Sequence, residues 1–176
     1  MAYWLMKSEP DEVSFDDVMA SPRHTTAWFG VRNYQARNFM RDAMQDGDGV
    51  LFYHSSCPEP GVAGLAVIVG GPYPDATQFD PQSKYFDPKA TQETPRWISI
   101  DVKGTQKTRL LPLAEMRTIP ALEEMVVLQK GSRLSITPVT SAQWKAIVKL
   151  LANNTTVLKP PSFRLSVLLP MAKAWK

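Results

Sequence analysis

His54-Ser55-Ser56-Cys57 places an imidazole near hydroxyl and thiol nucleophiles, and Lys7 and Glu9 flank Ser8 as a pair that acid–base work would use if buried. Each has a plainer reading. The first is a strand end whose His and Ser satisfy backbone groups, and the second is an ion pair at a strand edge. Wider signatures of catalysis are missing. The chain has no Gly-x-Ser-x-Gly elbow, no Gly-x-x-x-x-Gly-Lys-Ser/Thr phosphate loop and no Gly-x-Gly-x-x-Gly fingerprint. Its histidines are His24 and His54, too few for a His-based metal site, and Cys57 alone builds neither a disulfide nor a thiolate cage. The residues therefore predict no catalysis, no metal and no cofactor.

The aromatic residues carry more. Trp4, Trp28, Phe29, Tyr34, Tyr53, Tyr85 and Phe86 fall where strands meet loops, among Ser8, Arg32, Asn33, Arg37, His54 and Ser55. Such a mixture suits a planar heterocycle, because ring faces stack on a base while amides and hydroxyls read its edge. Periodicity assigns Trp97 and Trp144 to the core. Trp28 lies between two turn signals, Ser21-Pro22 and Gly30, and is expected to be exposed. Arg32, Arg37 and Arg41 lie on or beside one helix, which reads either as a phosphate-binding helix start or as a solvated face. Arg133 adds a cation at a strand start.

The elements that must hold these residues read as follows. Tyr3 to Met6 is a buried strand ending at Ser8-Glu9-Pro10. Ser14 caps a short helix with an acid three residues on, and Ser21-Pro22 stops it. Asn33 to Met44 reads as a helix, Val50 to His54 as a strand, and Val62 to Val69 as its partner across the loop Ser55 to Gly61. The connection Gly70 to Pro95 is 26 residues, far beyond the usual length of about 4–6, and loops that long are functional or disordered. Trp97 to Val102 alternates as a half-buried strand. Pro112 to Met116 and Ala121 to Met125 read as helical turns, and Leu134 to Thr137 as a last strand. Ser141 caps a closing helix with Trp144, Ile147, Val148 and Leu151 on one face. Strands in the middle and short helices on the connections predict a small mixed barrel with α elements.

Composition fits one domain: 44% of residues are hydrophobic and 21% charged, enough apolar material for a core. No apolar run approaches the roughly 20 residues a membrane helix needs. The first residues lack the profile of a secretory signal, so a cytoplasmic location, with nucleoid association open, is expected. The formal charge is +3, yet the last 24 residues hold four basic and no acidic residues, leaving 16 basic against 17 acidic in residues 1–152. A near-neutral body cannot rely on diffuse attraction to nucleic acid, so any such recognition needs a local basic groove or a shaped pocket. The chain divides into a single domain over 1–152 and a tail over 153–176, a candidate for self-association.

Seven collinear segments carry a resemblance. Tyr3-Trp4-Leu5-Met6-Lys7-Ser8-Glu9-Pro10 and Trp28-Phe29-Gly30-Val31-Arg32-Asn33-Tyr34-Gln35-Ala36-Arg37-Asn38-Phe39 are two of them. Phe52-Tyr53-His54-Ser55, Gly61-Val62-Ala63-Gly64, Tyr73 to Asp80, Tyr85-Phe86-Asp87-Pro88 and Arg133 to Pro138 are the others. Over about residues 2–151 the chain resembles the EVE domain family, including its thymocyte nuclear protein branch. Phe29 departs from relatives that often carry Asp or Glu there, which puts the pocket rim in question. The resemblance implies an α+β, PUA-like twisted β-barrel with flanking short helices, related to the YTH readers of methylated RNA. It also implies a reader that accepts a modified, flipped-out base, a modified cytosine in DNA, in an aromatic pocket, without catalysis. On that analogy Trp28 stacks on the base and Tyr85 or Phe86 closes over it. Ser8, Asn33 and Ser55 bond its edge, His54 shapes the wall, and Lys7, Arg32, Arg37 and Arg133 meet flanking phosphates. The alternatives are an ASCH-type amidohydrolase using Lys7 and Glu9 on modified nucleosides, and an RNA-binding module of YTH or PUA type, in which case RNA replaces DNA as the partner.

Overall fold

The structure is a computed structural model that describes residues 1–153. The tail set off at 153–176 lies, but for its first residue, outside the described residues. Two apolar runs form the centre. Strand β1 (Tyr3–Ser8) and strand β3 (Gly49–His54) pair in parallel, with Trp4 beside Val50 and Met6 beside Phe52. They read as continuous runs rather than alternating ones because both faces of the sheet are covered. Trp4, Met6, Val50 and Phe52 join one buried cluster, whereas Leu5, Leu51 and Tyr53 join another. The period of two in a strand makes this division.

Helix α1 (Phe15–Ala20) and helix α2 (Tyr34–Asn38) cover the first face with Phe15, Val18 and Ala36. Helix α1 starts as expected. Ser14 accepts from the Asp17 amide, and the Asp17 carboxylate accepts from the Ser14 amide. The predicted helix from Asn33 to Met44 divides: α2 ends at Asn38, and Phe39–Ala43 forms a wider π-type turn that buries Met40. Gly64 gives Phe15 its seat, since a Cβ there would lie 2.2 Å from the Phe15 ring.

Strand β4 (Gly61–Pro74) runs antiparallel to β3 and to strand β5 (Ile98–Pro112). Both long strands exceed the expected Val62–Val69 and Trp97–Val102, and β-bulges interrupt their register and bend the ribbon. Strand β2 (Thr25–Trp28) pairs with β5, and strand β6 (Ile136–Val139) pairs with β1. The order is β2-β5-β4-β3-β1-β6, a six-stranded sheet open between β2 and β6. Helix α3 (Leu113–Met116) and helix α4 (Ser141–Asn153) serve the second face with Met116, Ile147 and Leu151. The cap of α4 is Thr140, not Ser141. Thr140 Oγ1 accepts from the Gln143 amide, and Gln143 Oε1 accepts from the Thr140 amide. This is an α+β, PUA-like arrangement of a bent sheet with short flanking helices.

Candidate functional site

The parallel strands β1 and β3 end side by side, and the lead into β6 joins them. The Ser55 amide donates to the Ser8 carbonyl (2.9 Å), and the Lys7 amide donates to the Ser135 carbonyl (2.8 Å). Ser8, Ser55 and Ser135, with Ser56, thus line a cleft of about 450 Å³, within the ~300–1,000 Å³ typical of small-molecule sites. Trp28, Phe29, Val31 and Tyr85 supply its apolar walls, while Lys7, Glu9, Glu12 and Arg133 bring charge to it.

One buried carboxylate, outside the lining itself, holds Gly30 and Arg32 of the cleft in place. Asp75 is 1% exposed and accepts from the Gly30 amide (2.9 Å), Arg32 Nη1 (2.9 Å), the Thr77 amide (2.9 Å) and Thr77 Oγ1 (2.6 Å). Burial pushes its pKa up, but the hydrogen bonds from Thr77, Arg32 and Gly30 outweigh burial and leave it below the usual carboxylate value. Arg32 also donates to the Tyr85 carbonyl and lies 5.4 Å from the Tyr85 ring centre and 5.3 Å from that of Trp97. The segment after β2 is thereby tied to the connection between β4 and β5, residues 75–97. That connection is ordered by its own buried amide: Gln78 bonds the Asp75 and Trp97 carbonyls and the Arg96 and Trp97 amides.

Gly30 has φ +77°, and a Cβ there would lie 2.6 Å from the Tyr85 ring. Gly30→Ala is expected to displace Tyr85, to lower stability by about 1–3 kcal/mol, and to weaken any ligand that packs on that ring. Chemical denaturation and a binding titration on the same variant check both effects. Across the mouth, the Tyr85 hydroxyl donates to the Glu12 carboxylate (2.8 and 2.7 Å), and Lys84 sits 3.3 Å from Glu12.

Of the residues expected at a base-binding site, Ser8, Trp28, Ser55 and Tyr85 line the cleft, as do Lys7, Arg32 and Arg133. Trp28 corrects one expectation. It retains 7% of its surface, because it closes β2 opposite Ile100 and meets Phe52 edge-on at 5.3 Å. Its indole is part of the core and of the cleft wall at once. Four residues sit elsewhere. Asn33 caps α2 by accepting from the Ala36 amide (3.0 Å). His54 Nε2 accepts from the Phe15 amide (3.0 Å), and burial lowers its pKa against the pull of Asp16 and Asp17, so the ring serves as a neutral fastener for α1. Phe86 is exposed beyond the cleft. Arg37 stacks on Tyr34 and donates to the Arg96 carbonyl.

The Lys7–Glu9 ion pair expected at the strand edge does not form. Both side chains line the cleft, Glu9 accepts from Ser56 Oγ (3.1 Å), and burial lowers the Lys7 pKa. Lys7 and Arg133 have no carboxylate partner among the described residues, in contrast to Arg32. They are therefore the cations free to meet an anion. Reasoning on sequence missed Glu12, Ser135 and Asp75. Only Ser135 carried a signal, its spacing of two from Arg133 on an extended segment. Among the described residues no group of three His, Cys, Asp or Glu could hold a metal, and no helix is long and apolar enough to cross a membrane.

The EVE domain family model matches residues 2–150. The chain belongs to the EVE domain family. Human thymocyte nuclear protein 1 is 41% identical over 167 residues, which cover 85% of this chain and 73% of that protein. A crystal structure from Pseudomonas syringae is 51% identical with a TM-score of 0.80, covering 85% of this EVE domain chain and 99% of the other. The human THYN1 protein, solved in complex with 5-methylcytosine-containing DNA, is 42% identical with a TM-score of 0.78, covering 85% and 97%.

Proposed function

We propose that this EVE domain protein binds DNA carrying a modified cytosine and holds that base, turned out of the duplex, in the cleft beside Trp28. The observation that carries this reading is the 42%-identical human THYN1 protein, whose structure is a complex with 5-methylcytosine-containing DNA. The cleft supports it with aromatic walls, serine hydroxyls and two unpaired cations. Trp28, Phe29 and Tyr85 pack on the base, Ser8 and Ser55 meet its edge, and Lys7 and Arg133 meet the flanking phosphates.

Turning a base out of a duplex costs a few kcal/mol. One stacking contact returns about 1–3 kcal/mol, so stacking alone does little better than cancel it. The cations must supply the remainder, which makes binding sensitive to salt. Titration of duplexes that differ by one 5-methylcytosine, at several salt concentrations, tests the reading. Tighter binding of the methylated duplex is expected, and equal affinity overturns it. Lys7→Ala and Arg133→Ala should each weaken both duplexes by about tenfold and lower the salt slope by about one.

A second reading rests on Lys7, whose pKa burial lowers in the same cleft as Glu9. Such a pair suits hydrolysis of a modified nucleoside. Incubation with modified nucleosides separates the two, because a reader releases no product.

A further inference from the structure

We infer that Glu9, with Ser8, recognises the exocyclic amino group of the bound base and thereby distinguishes a 4-amino pyrimidine from a 4-oxo one. This rests on the reader proposed above and adds the residue that sets its choice of base. The end of β1 brings two hydrogen-bond acceptors, Ser8 and Glu9, into the lining of the cleft. Ser8 lines the cleft, and its hydroxyl proton is committed to the Val13 carbonyl (2.6 Å), which leaves its oxygen only the role of acceptor. Glu9 Oε1 accepts from Ser56 Oγ, and Oε2 has no donor among the described residues. The other carboxylate of the cleft, Glu12, is already engaged by the Tyr85 hydroxyl and by Lys84.

Two vacant acceptors call for a group with two N–H bonds. Cytosine and 5-methylcytosine offer one, the N4 amino group, and a carboxylate is a fitting acceptor for it. Thymine has the same ring and the same 5-methyl group but places the O4 acceptor there. Against Glu9 that oxygen meets a second acceptor and repels it. Once the base covers Glu9, a polar group left facing the wrong partner discriminates more strongly than a missing apolar contact does.

The test uses two duplexes that carry 5-methylcytosine or thymine opposite an abasic site, so that neither base gives up a pair. Wild-type protein is expected to prefer 5-methylcytosine by about tenfold or more, the discrimination typical of one good polar contact to a base edge. Glu9→Gln replaces the carboxylate with an amide that can turn either its oxygen or its NH2 to the base. It should bring the two affinities to within about threefold while binding 5-methylcytosine. Glu9→Ala should also erase the preference. Glu9 is exposed, so an unchanged melting curve is expected and confirms that both variants fold. Equal wild-type affinity for the two bases, or a preference that survives in Glu9→Gln, overturns the inference. If the fully paired methylated and unmethylated duplexes also bind equally, the reader itself falls; if the methylated one binds tighter, the role of Glu9 alone falls.

Discussion

Asp75→Ala is expected to lower stability by about 3–5 kcal/mol, the range for removing one member of a buried ion pair and leaving the other unmatched. Four donors aim at this carboxylate, and the substitution strands the Gly30 and Thr77 amides and takes the carboxylate from Arg32 Nη1. Arg32 would keep the Tyr85 carbonyl and Thr77 Oγ1 as acceptors, which places the loss toward the lower end. Urea denaturation measures it. The loss should be local as well as global, because Asp75 joins the segment after β2 to the connection bearing Tyr85. Amide exchange is therefore expected to rise first around residues 75–87. A loss under about 1 kcal/mol, with exchange unchanged there, would contradict the role given to Asp75.

The same carboxyl predicts part of the acid limb of stability. Its folded pKa lies below the ordinary value of about 3.9. Its contribution is thus complete above that value and is lost as pH falls through the lower folded one. Asp75→Asn removes this titration and should flatten the stability curve below about pH 4 relative to wild type. Denaturation midpoints at a series of acid pH values check the sign.

What the sequence revealed depended on how local each signal was. The apolar runs of β1 and β3 and the Ser14–Asp17 capping box are complete within a few residues, and the structure contains them where expected. Strand β2 was not legible. Thr25-Thr26-Ala27-Trp28 is short, and pairing with β5, as in Trp28 opposite Ile100, makes it a strand. The polar half of β5 was missed for a related reason. Lys103 to Lys107 is mostly exposed, and β4 holds it extended through pairs such as Gly64 with Lys107. At the site, the Lys7-Ser8-Glu9 motif marks the end of a strand and was legible. Arg32 read as a cation for phosphate, and nothing near it announced that an aspartate 43 positions away would claim it. Asp75 itself sits in a Pro-rich connection, where local sequence gives no sign of burial.

Trp28→Ala should be the most damaging single change at the cleft, because the indole belongs to two structures at once. With 7% of its surface exposed and Phe52 at 5.3 Å, its truncation opens a cavity and should cost about 3–5 kcal/mol of stability, the usual range for a buried tryptophan. Binding of methylated DNA should fall by about fivefold to a hundredfold, since a stacking wall worth about 1–3 kcal/mol is lost. One variant cannot separate these effects, so Trp28→Phe is the informative companion. A phenyl ring refills much of the core volume, and the stability loss should shrink to about 1–2 kcal/mol. It presents a smaller face to the cleft, so affinity should remain measurably reduced at temperatures where the variant is fully folded. If Trp28→Phe restored stability and bound methylated duplex like wild type, an aromatic face of any size would suffice. If Trp28→Ala, measured well below its melting temperature, bound as tightly as wild type, the indole would be a core residue only. The base would then have to rest on Tyr85 and Phe29, which also line the cleft and stand edge-to-face at 6.0 Å.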